Sequence, residues 1–125
     1  MGAGLVIMGV GMTSVFVPSD LAFIGLRATD LTAINSHLVP LIAHDRAGFG
    51  GGLFSCGLMV LLIVWRAVID RALWEALLFA GSVGFCCALG VHFMVGYVDF
   101  LHLLPAVAGL MVFLIGIVAA KPGSQ

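Results

Sequence analysis

A chain of 125 residues with 62% hydrophobic and only 9% charged side chains cannot cover its own surface with charge. A soluble domain of this size carries roughly a quarter charged residues, so the outer surface must meet lipid. A mean hydropathy of +1.25 agrees, and a net charge of −1 without any basic tract excludes nucleic acid as a partner.

The first apolar run covers residues 2–17, slightly below the ~20 residues that a bilayer core asks for. It lacks the basic region and small-x-small cleavage pattern of a signal peptide, so it reads as a retained first membrane segment. Residues 18–47 are mixed: Asp20, Arg27, Asp30, His37, His44, Asp45 and Arg46 stand among spaced apolar residues. Thr29 or Asp30 is placed to cap a short helix with Leu31, Ile34 and Leu38 on one face. Pro40 is expected to interrupt that helix, because it lacks an N–H and disfavours helical geometry at Val39. A second short helical piece is expected from Pro40 into the membrane, and the whole segment reads as an amphipathic cap lying on the bilayer.

The second membrane segment runs over residues 48–65, about 27 Å as a helix and close to the hydrocarbon thickness. The third covers 72–98, long enough to span with tilt, and the fourth 100–120. The expected fold is therefore all-α: one domain over 1–125, a four-transmembrane-helix antiparallel bundle with a short helical cap between helices one and two. Arg66, Arg71 and Lys121 lie at one end of these segments, Arg27 and Arg46 at the other. By the positive-inside rule both termini and the Arg66–Arg71 turn are cytoplasmic, in a bacterial-type inner membrane. Trp65 and Trp74 flank that turn, where indole rings favour the headgroup level.

Threading the ionisable residues through this topology sends all four histidines to the outer end. His37 and His44 lie in the cap, His92 just inside the outer end of the third segment, and His102 at the start of the fourth. Asp45, Arg46, Tyr97 and Asp99 join them, whereas Arg66, Asp70, Arg71, Glu75 and Lys121 at the inner end read as solvated flanks. His44, Asp45, Arg46, His92, Asp99 and His102 are the candidate site, with His44, His92 and His102 as candidate metal ligands. An ionisable residue at membrane depth is costly, so His92 carries the most weight. Asp45 and Arg46 also have a structural reading, in which they fix the cap to the bundle. Tyr97 reads as an interfacial anchor.

Small residues recur every four positions in the third segment, at Ala80, Gly84, Ala88 and Gly96, with His92 in the same row. Such a row lets membrane helices approach closely. Gly48 and Gly52 form a GxxxG pair in the second segment and are expected to pack against it, or to floor a ligand slot beneath His44. Cys56, Cys86 and Cys87 fall in apolar runs without zinc spacing and read as buried hydrophobes.

Three chemistries fit the polar cluster. Imidazoles ligate haem or a transition metal; a histidine beside a carboxylate holds a quinone carbonyl and passes protons; or the cluster ties the cap to the helix ends of a membrane anchor or subunit. Expected partners are the lipid bilayer and other membrane subunits or a second copy. No GxSxG elbow supports a serine nucleophile, and the inner half lacks a polar path for transport.

Overall fold

The computed structural model describes residues 1–123. Six helices account for its ordered structure, with no strand among the described residues: α1 (Gly2–Met12), α2 (Pro18–Ile24), α3 (Ala28–Ile34), α4 (Leu38–Arg66), α5 (Arg71–Val95) and α6 (Phe100–Ala119). The chain divides into two compact units, the first running from Met1 to Trp65 and the second from Arg66 onward. Three helices (α4, α5 and α6) are long and apolar enough to cross a membrane. Most of their large apolar side chains stand exposed, as a lipid-facing surface requires.

The first apolar run is not one helix. Its 11-residue α1 rises ~16 Å, about half a bilayer core. Residues 13–17 form an irregular bend: the Thr13 hydroxyl donates back to the Gly9 carbonyl at 2.7 Å, and Val15 takes a left-handed φ of 65°. Local hydroxyl bonding competes with helix continuation, and Pro18 forces Val17 to be extended. Pro18 then opens α2 at its first position, while the Asp20 carboxylate accepts the Val17 N–H at 2.9 Å. Gly25, at φ 70°, closes α2 as its left-handed cap.

The cap segment differs from its sequence reading in two ways. Arg27, not Thr29 or Asp30, is the N-cap of α3, and Asp30 reaches back from the third helical position to accept the Arg27 N–H at 3.0 Å. That helix stops at Ile34, so Leu31 is buried while Ile34 is exposed and Leu38 belongs to the next helix. Pro40 does not interrupt: it lies in the first turn of α4, where the N–H groups have no intrahelical partner to lose. The Asn35 side chain, accepting the His37 N–H at 2.9 Å, turns the chain into that helix. The short piece expected from Pro40 and the second membrane segment are thus one continuous 29-residue helix.

Within the first unit α1 runs antiparallel to α4 at backbone contact. A Cβ on Gly4 would lie 2.6 Å from the Phe54 nitrogen, one on Gly11 2.7 Å from the Ala47 nitrogen, and one on Gly50 2.8 Å from the Gly4 oxygen. The α4 side of this seam advances by fours and threes through Ala43, Ala47, Gly50, Phe54 and Gly57. Gly48 and Gly52 are two residues from Gly50, about 200° around the helix, and a Cβ there meets nothing in its own unit.

The second unit is a helical hairpin. Asp70 caps α5 by accepting the Leu73 N–H at 2.8 Å, and Gly96 ends it in the left-handed region at φ 73°. Asp99 caps α6 by accepting the His102 N–H at 2.8 Å. Because α6 starts at Phe100, Pro105 falls in its second turn and not its first, so the Leu101 carbonyl loses its usual i+4 donor. Half-buried Trp74, Leu78, Gly81, Phe85, Ala88 and His92 form the α5 seam. A Cβ on Gly81 would strike the Phe113 ring and one on Gly109 would lie 3.3 Å from the Phe85 ring, whose centroid is 5.4 Å from that of Phe113. At the far end the Trp74 indole donates to the Ile117 carbonyl at 2.8 Å.

The every-fourth row of small residues drifts across this seam. Four residues turn a helix by about 400°, so the row precesses by about 40° per step. Ala80 and Gly84 therefore stand exposed, Ala88 and His92 lie in the seam, and Gly96 serves the turn.

Candidate functional site

The polar residues of the first unit bind one another. Arg46, from the third turn of α4, directs its Nη1 at two acceptors: Asp20 Oδ2 at 2.7 Å and the Val15 carbonyl at 2.9 Å. Asp20 is only 4% exposed. An ionised carboxylate at that depth needs a full set of partners, and it has the guanidinium together with the Val17 N–H. One arginine thus joins α4 to the α1–α2 bend and to the first turn of α2. The neighbouring His44 and Asp45 point outward instead, Nδ1 to Oδ1 at 3.1 Å, with the His44 side chain 84% exposed. Farther along the cap, Arg27 grips Asp30 with Nε and Nη2, each at 3.2 Å. That side-chain bond, then the Arg27 N–H, holds the Asp30 carboxyl below the usual carboxylate range.

In the second unit, the end of α5, the turn and the start of α6 bring three hydrogen-bonding rings together. The His92 and His102 rings are 5.3 Å apart, Tyr97 and His102 are 4.6 Å apart, and His92 and Tyr97 are 6.0 Å apart, measured between centroids. All three side chains are half-buried. His92 Nδ1 lies 2.7 Å from the Ala88 carbonyl oxygen. A carbonyl only accepts, so Nδ1 carries the proton, and in the neutral ring Nε2 is left as an acceptor. The Tyr97 hydroxyl and His102 Nδ1 are hydrogen-bonded at 3.2 Å. Asp99 spends its Oδ1 on the His102 backbone N–H, a capping duty, and so sets the start of α6 from which the His102 ring projects. The arrangement can accept a hydrogen bond at His92 and relay a proton between a phenol and an imidazole.

Two pairings in these clusters, Asp20 with Arg46 and Tyr97 with His102, escape a reading of the sequence. Asp20 carries the capping pattern of a carboxylate two places after Pro18, but its long-range partner Arg46 is 26 positions away. Tyr97 has the composition of an interfacial anchor, and only the sharp turn at Gly96 brings it under His102. Among the described residues no three His, Cys, Asp or Glu side chains are grouped as a metal ion would need. Compared with known proteins, the chain matches no family model, no curated protein and no solved structure.

Proposed function

We propose that the protein is a small multi-pass membrane accessory protein, redox-linked in role, that presents a polar hydrogen-bonding site at the α5–α6 turn on the outer face. The observation that carries this reading is the hairpin itself. Its seam is apolar or glycine from Leu78 to Ala88, and its hydrogen-bonding rings gather at one end, in His92, Tyr97 and His102. A half-buried imidazole whose Nδ1 is held by a backbone carbonyl suits recognition of a hydrogen-bonding ligand. The grouping gives more support to such a ligand than to a metal ion.

In this reading α1 is the fourth membrane segment, embedded along α4, and the cap of α2 and α3 lies on the outer surface. Arg66, Arg71 and Lys121 outnumber Arg27 and Arg46, which supports a cytoplasmic Arg66–Arg71 turn and cytoplasmic ends in a bacterial-type inner membrane. The exposed apolar faces take lipid and, in an accessory role, other membrane subunits or a second copy. A second reading, a non-catalytic anchor, is favoured by the Arg46–Asp20 tie, which fastens α4 to the first turn of α2.

Reporter fusions in the cap at Ser36 and in the turn at Ala67 test the topology. A phosphatase reporter is expected to be active only at Ser36, and a green fluorescent reporter to shine only at Ala67. The reverse pattern, or release of the chain by alkaline carbonate, overturns the reading. Native electrophoresis in mild detergent separates its two forms. A His92→Ala/His102→Ala variant keeps its assembly if the rings are a site and loses it if they are glue.

A further inference from the structure

We infer that the ring cluster of the α5–α6 turn binds a membrane-dissolved quinol, whose ring hydroxyl donates to His92 Nε2; this rests on the accessory-site reading above and names its ligand. Three features of the turn select that chemistry. The first is the fixed acceptor. His92 Nδ1 is committed to the Ala88 carbonyl, and no described residue donates to Nε2. A ligand hydroxyl completes the ring's hydrogen bonding, whereas an ether or a bare carbonyl cannot.

The second feature is the rim. Phe93, Val98, Phe100 and Leu101 are next to or near the ring-bearing residues in the chain and are all exposed, at 56% to 76%. A water-borne polar ligand gains nothing from such a rim. A ligand that arrives laterally from the bilayer buries its ring and the head of its tail there.

The third feature is the charge balance. The basic residues of this unit, Arg66, Arg71 and Lys121, lie at or beyond the ends of α5 and α6 remote from the turn, and the one charged side chain in the turn is the Asp99 carboxylate. Recognition of a phosphate calls for an arginine, a lysine or a cluster of N–H donors. Here a carboxylate repels it, so an anionic lipid headgroup does not fit. A neutral ring with hydroxyl donors does. The Leu101 carbonyl, which Pro105 cannot serve, stands in the same first turn of α6 and offers a further acceptor to a second hydroxyl.

The test uses the full chain in nanodiscs of zwitterionic phospholipid and a decyl-tailed benzoquinol, with empty nanodiscs as the baseline for partitioning. Saturable binding at one site per chain is expected. His92→Ala should weaken it at least 10-fold, Tyr97→Phe about 3-fold, and Thr32→Ala, exposed in the other unit, not at all. The quinol's dimethyl ether, equal in shape but without donors, should bind at least 10-fold more weakly. Circular dichroism confirms that each variant keeps its helices, and His92→Gln, which retains an acceptor, should recover part of the affinity. Unsaturable partitioning, equal binding of quinol and ether, or equally potent competition by a sterol or an anionic phospholipid overturns the inference. The topology fusions report separately: with the turn still outside, failed binding removes the ligand and leaves the accessory reading standing.

Discussion

The two units pair helices and place polar groups by opposite means. In the first, α1 and α4 meet backbone to backbone through Gly4, Gly11 and Gly50, and the polar residues form a closed charged knot of Arg46, Asp20 and the Val15 carbonyl. In the second, glycines face phenylalanine rings, and hydrogen-bonding rings gather at the turn with the His92 Nδ1 held by a backbone carbonyl. Fully satisfied polar groups hold a structure together; partly satisfied ones are equipped to hold something else.

The contrast can be broken most forcefully at the charged knot. Arg46→Met leaves Asp20 buried without its cation and should cost about 3–5 kcal/mol, measured as the midpoint of denaturant unfolding in detergent. Adding Asp20→Asn should restore part of the loss, since the unpaired charge is then gone. The glycine seam gives the next effect. Gly50→Ala drives a methyl into the α1 backbone and should cost about 1–3 kcal/mol, whereas Gly52→Ala, in open space, should stabilise α4 by up to about 1 kcal/mol. Opposite signs two residues apart would confirm the packing face, and equal signs would refute it.

On the other side of the comparison, Asp99→Ala removes the cap of α6 and should cost about 1 kcal/mol. The same substitution should loosen the Tyr97–His102 pair, visible as faster exchange of the His102 amide. The smallest effect is a pH dependence in the cap. Asp30 has its carboxyl lowered by Arg27, so its contribution is complete above the ordinary aspartate range and is lost as pH falls through the lowered value. Asp30→Asn should flatten the acid side of the unfolding midpoint between about pH 4 and pH 2, within the range over which a lowered aspartate titrates.

The sequence displays the long helices openly, because runs of apolar residues that fill a bilayer thickness have few other solutions. The hairpin turn is legible only in part: the short gap between the third and fourth segments shows in the sequence, but Gly96, which reads as a packing residue inside a segment running to 98, is the left-handed cap that ends α5 at Val95. The helix faces were harder to read. Gly48 and Gly52 make the familiar motif, yet Gly50 carries the contact with α1, and neighbouring glycines give no sign of which one faces the partner. Pro40 misleads for a related reason, since its effect depends on whether it falls in the first turn or later, and helix starts are the least determinate feature of a sequence. Asp20 and Arg46 could not be matched in advance, because no local pattern links residues that meet only after α1, α2 and α3 have folded back on α4.

The indole bond from Trp74 to Ile117 has one more consequence. Trp74 and the Gly96 cap stand 96 − 74 = 22 positions apart along α5, a rise of about 33 Å. With α6 latched at Ile117, α5 cannot slide by a turn without breaking that bond and unseating the facing phenylalanines. That length is close to the ~30 Å of a hydrocarbon slab. In a thinner bilayer the hairpin would tilt as one body, while the distance from indole to imidazoles stays the same.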